Sequence, residues 1–587
     1  MNNWDLTKIY ENDELFNNDL ARIAKIVEEV NLLKTKLNEF ESFKKYVELN
    51  KEFILRLSKA YTYASMSHDL DQRDEKNLNK YQMAYMTYAK AIQGMAWVEP
   101  ELLTVGEDKL LDFCSKDEEL KASAFSIKNL YRLHKYVLDE KSEAILANAD
   151  EAFSKFNDLY DKVCVVDSKS VKVKISTGEV LEINGSNYTY YLSKAENQKD
   201  RKKIFEAYYK GFEDKKATLA GIYDGILTAD LARANSRGYK SMIDMHLFSN
   251  DIDKCVYEAL VKTARANTQP LKKYIKLRKE KLGLKSYHTY DRFVEFVKNN
   301  KEYSYEEGKK LVLEADKSMG EDFYKKCQTV LEDGRVSVYP GEGKRTGAYS
   351  TGTYDKGPFI LLNHNGKLDD VFTIAHEGGH SIHTMYSNES QPVETADYTI
   401  FVAEIASTLN EQVLLDYMLK NIKDKNEKIT LLQHSIDSLI ATFYRQTLFA
   451  DYELQTHKMK ENGEPITDTA LSKIMADLYK KYYGINLDRE PLKKYVWAYI
   501  PHLFHTPFYV YQYATSNAAS LAIYSKIKQG DKEAFDKYIK LIRSGGSDYP
   551  VNLVKEAGVD LTKKDAYLAL INRVDELVDE LEELLNE

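Results

Sequence analysis

Turn-forming residues are scarce in this chain: 10 Pro and 26 Gly interrupt 587 residues, against average usage of about 5% and 7%. A sequence so rarely punctuated has to run in few, long elements, and long elements mean helices. The expected fold is therefore mainly α. A β-sandwich needs turn signals about every 8–12 residues, and a collagen-like chain needs periodic Gly, so both are excluded. With 43% apolar residues and 44 Tyr there is ample material for a large core, which excludes a disordered chain. The glycines are unevenly spread, nine of the 26 falling between Gly334 and Gly379.

The net charge is −9, with Lys and Arg scattered among Asp and Glu, so no basic stripe suggests a nucleic-acid partner. No apolar run approaches 18 residues, so no membrane span is expected. The opening MNNWDLTKIYENDELF lacks a basic segment followed by an apolar one, so no signal peptide is expected either. Cys114, Cys164, Cys255 and Cys327 are far apart and form no CxxC pair. They are expected as reduced core cysteines of a cytoplasmic protein.

Residues 1 to about 165 read as a helical layer: Leu20–Phe40 is one expected helix, with others around 42–66, 75–97 and 117–160. VKVKISTGEVLEI (171–183) alternates polar and apolar residues around Thr177–Gly178, a hairpin signal. Helical periodicity resumes over about 195–335. The Gly-rich stretch 339–363 then reads as strands, and its GEGK is not a phosphate loop because the earlier glycine would have to be Val338. From 369 onward the pattern is mostly helical, closing with 571–587 as an acidic amphipathic helix expected to be a solvated cap. The expected organisation is an N-terminal helical region (1–110), a helical segment with the hairpin (111–195) and a catalytic region (196–587).

The chemistry concentrates in DDVFTIAHEGGHSIHTMYS (369–387). Asp369 or Asp370 can cap a helix whose face of Val371, Ile374, Ala375, Gly378, Ile382 and Met385 turns inward. His376 and His380, one turn apart, can aim imidazole nitrogens at one metal ion. Glu377 can take a proton from a water activated there. Gly378 and Gly379 each cost a helix about 1 kcal/mol, so close approach of a backbone or substrate must offset them. A metzincin would have Gly at 383 and His at 386, where this chain has His383 and Tyr386. The third ligand is expected to be Glu404, a carboxylate interrupting the apolar YTIFVAEIASTLNEQVLLDYML (398–419). Glu411, seven residues on, fits the role of orienting a ligand histidine. Glu389 and Glu394 are rivals as ligands, and His383 is expected as a hydrogen-bonded neighbour of the site.

HEGGHSIH, followed by Glu404 in AEIASTLNE, resembles the zinc peptidase family of thimet oligopeptidase, neurolysin and oligoendopeptidase F. WDLTKIY, GAYSTG, PFILLNHN, PHLFHTPFYVYQYATS (501–516), SGGSDYP and VKEAGVDL also resemble it, so the similarity spans most of the chain. The resemblance implies a helical fold with a deep channel and one zinc ion held by His376, His380 and Glu404. It also implies Glu377 as general base and short, unfolded oligopeptides as substrates. For the donor that stabilises the oxyanion it points to His502 and Tyr511, with Tyr513 next; the role of His505 stays open. By its own signals 507–529 is one helix, with Thr506 as cap, Pro507 at the first position and Gly530 at the stop. In such a helix Tyr509 and Tyr513 share a face and Tyr511 points away.

The function expected is therefore zinc-dependent endopeptidase activity on oligopeptides. Two alternatives stand beside it: a zinc carboxypeptidase or dipeptidyl carboxypeptidase on a related scaffold, and a peptide-binding protein without turnover. The strand-like 339–363 could offer an edge to which a substrate backbone pairs.

Overall fold

The computed structural model describes residues 3–587. Helices take up 71% of the chain and only small sheets accompany them, so the fold is mainly α. Contacts divide the chain into two compact units. The first comprises the N-terminal stretch to Lys135, Lys301–Asn421 and Ile523–Val559; the second comprises Tyr136–Asn300, Ile422–Ala522 and Asp560–Glu587.

In the first unit three long helices, Asp13–Asn31, Phe40–Leu70 and Glu75–Met95, pack on one another. Asn12 begins the first by accepting the Leu15 N–H at 3.1 Å, and Asp74 begins the third by accepting from Lys76 and Asn77. The expected helix over 20–40 stops at Asn31 instead. The Glu101 carboxylate accepts the Thr35 and Leu37 N–H groups at 2.7 and 2.9 Å, and Thr35 turns left-handed at φ 70°. That anchor lies more than sixty residues away, so local periodicity could not reveal it. The segment 117–160 also divides, into Ser123–His134 and Glu140–Asp161, with Asp139 capping the second half.

This layer shares its core with a three-stranded sheet of order β3-β5-β4, formed by β3 (Val336–Ser337), β4 (Tyr349–Thr353) and β5 (Gly357–Leu361). The Trp4 indole donates to the Ile360 carbonyl at 2.8 Å, and Phe359 and Leu361 fill the same core. β4 lies at an edge of the sheet, antiparallel to β5. In the GEGK turn, Lys344 Nζ donates to the carbonyls of Ser337, Tyr339 and Leu362 at 3.2, 2.7 and 2.7 Å, which ties the turn to the sheet.

The motif helix spans Leu368–Ser390, with Asp370 accepting the N–H groups of Asn365 and Lys367 at 2.9 Å. It is buried on most of its circumference rather than on one face, including Phe372, Glu377, Ser381 and Tyr386. Its main neighbour is the helix Ile400–Asn421. A Cβ on Gly379 would lie 2.7 Å from both the Ala406 oxygen and the Ser407 Cα, so only glycine lets the two backbones meet there.

In the second unit the 171–183 hairpin forms as expected, with β1 (Val171–Lys174) antiparallel to β2 (Val180–Ile183) and Gly178 at φ 91°. The last helix, Asp565–Asn586, is no solvated cap: Tyr567, Leu570, Val574, Leu577 and Leu581 are buried, and it packs on helices Gln269–Lys281 and Lys425–Leu439. The helix expected over 507–529 spans Tyr511–Lys528 instead, because Phe508 turns left-handed at φ 55° and its N–H donates to the buried Glu453 carboxyl at 2.8 Å. None of the four cysteines is in a disulfide; Cys114 and Cys327 are buried. Among the described residues no helix is long and apolar enough to cross a membrane.

Candidate metal centre

The motif helix and its neighbour bring His376, His380 and Glu404 together in the first unit. Histidines four residues apart stack one turn apart, so their rings approach to 4.8 Å with their planes 84° apart. The two Nε2 atoms are 3.2 Å apart, and Glu404 Oε2 lies 3.3 Å from that of His376 and 3.7 Å from that of His380. Bonds of about 2.0–2.2 Å in tetrahedral geometry place ligand atoms roughly 3.4 Å apart, so these three donors fit one zinc-sized cation.

The surrounding hydrogen bonds fix which atoms face inward. His376 Nδ1 is 2.6 Å from Glu411 Oε1, which leaves Nε2 to the ligand position. Ser407 Oγ donates to Glu404 Oε2 at 2.9 Å, and Asn410 Nδ2 donates to the Ala375 carbonyl at 2.8 Å. Burial lowers the His376 pKa, but the Glu411 hydrogen bond and the carboxylates around it outweigh that and lift it to about 9. Burial pulls His380 down to about 4, helped by the charge of His376. Two imidazoles of opposite tendency facing one carboxylate are a donor set that a cation would equalise.

Glu377 is 6% exposed and lines the cleft on the same helix. Burial pushes its carboxyl up to about 7 against the charge of His376. The cleft holds about 730 Å³ and is bounded by β4, by Ile54 and Ser58, and by Thr384, Tyr398 and Ala403 around the ligand set. Ser350 Oγ also meets Ser381 Oγ at 2.8 Å, which joins the strand to the motif helix.

The rival carboxylates pair with lysines: Glu389 with Lys326 at 2.6 Å and Glu394 with Lys51 at 3.2 Å. His383 corrects an expectation, because neither ring nitrogen has a hydrogen-bond partner. The ring instead stacks on Tyr398 at 3.6 Å, and burial drives its pKa down to about 3. The sequence reading missed Tyr398, whose hydroxyl bonds to Thr384 at 2.8 Å and donates to the His380 carbonyl at 3.3 Å. Among 44 tyrosines nothing local marked it.

His502, Tyr511 and Tyr513 belong to the second unit. Tyr511 is buried with its ring 4.9 Å from that of Tyr257. His502, Tyr509 and Tyr513 form an aromatic cluster with centroids 5.6–6.3 Å apart. His505 pairs with Asp161 at 2.9 Å.

Residues 191–573 match peptidase family M3, and residues 101–167 match oligopeptidase F. The chain belongs to peptidase family M3. It is 34% identical to oligopeptidase PepF of Bacillus subtilis over 584 residues, covering 99% of this chain and 87% of that protein. It is 32% identical to group B oligopeptidase PepB of Streptococcus agalactiae, covering 99% and 97%. Among solved structures, oligoendopeptidase-F from Enterococcus faecium matches with a TM-score of 0.72 at 27% identity, covering 98% of this chain and 99% of that one. A Chlamydophila abortus chain matches with a TM-score of 0.91 at 29% identity, covering 99% and 98%. This M3 member is thus a metalloendopeptidase of the oligopeptide-cleaving kind, and its family implies a metal cofactor.

Proposed function

We propose that this chain is a zinc-dependent oligoendopeptidase in which His376, His380 and Glu404 hold one zinc ion and Glu377 is the general base. The observation that carries the reading is the donor triad, with its atoms 3.2–3.7 Å apart and Glu377 in the same cleft. When bound, zinc supplies Lewis acidity that lowers the pKa of a water and polarises the scissile carbonyl. Glu377 takes the proton from the attacking water and returns it to the leaving amine, a role suited to a carboxyl held near neutrality. Glu411 holds the His376 imidazole so that its Nε2 is left to the ligand position.

The edge of β4 lets a substrate backbone pair as an added strand, which favours peptides of many sequences. For the oxyanion donor, the family resemblance points to His502, Tyr511 and Tyr513. The burial of Tyr511 against Tyr257 favours the other two. Cytoplasmic peptides are the proposed substrates.

Glu377→Gln should keep the metal and lose roughly 10²–10⁴-fold in kcat, whereas His380→Ala should lose both metal and activity. Metal analysis beside hydrolysis of a peptide library, with and without chelator, checks this. Undiminished turnover by Glu377→Gln would overturn the mechanism. Failure to cut peptides blocked at both ends would favour the carboxypeptidase alternative.

A further inference from the structure

A second group of metal-type donors lies wholly within the second unit and shares no residue with the proposed zinc ligands, general base or oxyanion donors. Asp230, His246 and His457 come from three mutually packed helices, Lys216–Arg237, Met242–Phe248 and Gln446–Glu461. His246 Nε2 is 2.8 Å from Asp230 Oδ2, and His457 Nε2 is 3.8 Å from the same oxygen. One donor atom from each of the three residues lies within 4.8 Å of the others.

Two features separate this group from an ordinary buried ion pair. First, His457 is 2% exposed, and its Nδ1 lies 2.8 Å from the Glu453 carbonyl, an arrangement in which Nδ1 carries the proton and donates. Its Nε2 then presents a lone pair to the cluster, is buried, and has no hydrogen-bond partner. At 3.8 Å from Asp230 it is beyond hydrogen-bond reach, so a proton placed there would also bond nothing. Second, Asp230 is oriented by its other oxygen. Arg233 Nη1 donates to Oδ1 at 3.1 Å while Arg233 Nε donates to Asp150 at 2.7 Å, so Oδ2 is left facing both imidazoles. An aromatic lid closes the group: the Phe508 ring sits 4.4 Å from His457 and 5.3 Å from His246, and its backbone is held left-handed against Glu453.

We propose that Asp230, His246 and His457 form a second metal site, for a divalent transition-metal cation of the Zn²⁺ class. Two imidazoles and one carboxylate, with no thiolate, select that class over Mg²⁺ and Ca²⁺, which require mostly oxygen ligands. Ligand bonds of about 2.0–2.2 Å need the close His246–Asp230 pair to open by roughly half an ångström and the His457 nitrogen to close by a similar amount. The site opens on none of the substrate cleft's residues, so its role is to fasten three helices together and to seat Phe508 ahead of the His502–Tyr509–Tyr513 cluster.

The test uses the full chain carrying His376→Ala and His380→Ala, which removes the peptidase ligands and makes the outcome independent of the proposed peptidase mechanism. The protein is stripped with chelator, dialysed against micromolar Zn²⁺ and then metal-free buffer, and analysed for zinc by mass spectrometry. One equivalent per chain is expected, with a raised Tm and, after Co²⁺ substitution, visible d–d absorption. Adding His457→Gln should abolish all three signals. His246→Gln, at a partly exposed position, should do the same and serves if the first variant does not fold. Absence of zinc from the doubly substituted chain would overturn the proposal, as would an unchanged equivalent after both glutamine substitutions.

Discussion

Asp316 shows what burial does to a single ionisable group outside the cleft. It ends the helix Tyr305–Asp316, where a carboxylate meets the negative end of the helix dipole. Burial raises its pKa to about 7, against weaker opposition from the side chains of Cys327 and Asn410. In the unfolded chain the group titrates near 3.8. Between those values the folded protein binds more protons than the unfolded one, so stability falls as pH rises from about 4 to about 7. Asp316→Asn removes the ionisation. It should melt like the parent at pH 4 but be more stable at pH 8 by up to about 4 kcal/mol, as measured by thermal denaturation at the two pH values. An equal difference at both would contradict the assignment. At this scale the sequence exposed the metal-type residues, because spacing alone places His376 and His380 on one face. It could not expose Tyr398 or Ser350, whose contacts join residues with no local pattern in common.

At the scale of elements, the two glycines inside the motif helix have different physical reasons. A Cβ at Gly379 would strike the backbone of the Ile400–Asn421 helix at 2.7 Å, and backbone cannot move aside as a flexible side chain can. At Gly378 the nearest atom is Asn410 Nδ2 at 3.8 Å, an ordinary contact. Gly379→Ala should therefore separate the helices, destabilise the protein and weaken metal binding through displacement of Glu404. Gly378→Ala should fold well and gain up to about 1 kcal/mol of helix propensity, although its methyl could obstruct substrate. Tm and zinc stoichiometry of the two variants check the contrast, and equal behaviour would refute it. The sequence posed this question correctly, since two unexplained glycines in a helix asked for a close approach. Which of them meets a backbone depends on the register between two helices that are separate in sequence. The same limit explains the misplaced helix ends at Asn31 and Tyr511, each fixed by a distant carboxylate, that of Glu101 or Glu453.

At the scale of the molecule, each unit is assembled from three separated stretches, so the N-terminal helical layer is not a domain that can stand alone. Its core takes Phe359 and Leu361 from β5, and Trp4 hydrogen-bonds to that strand. A fragment of residues 1–135 should lack a cooperative melting transition, which circular dichroism would show; a sharp transition near that of the whole chain would refute this. By itself the sequence determined the helical class, the two strand-bearing segments, the HEGGH helix and the few carboxylates from which a third ligand could come. Those follow from short-range physics: turn scarcity, alternation, and the 3.6-residue turn that stacks histidines four apart. Only the tertiary structure decided that Glu404 and Glu411 stand on opposite sides of His376 and that Glu389 and Glu394 are held by lysines. It also decided that Asp230, His246 and His457 converge at all. Those arrangements depend on which distant backbones lie in contact, and packing of the whole chain sets that.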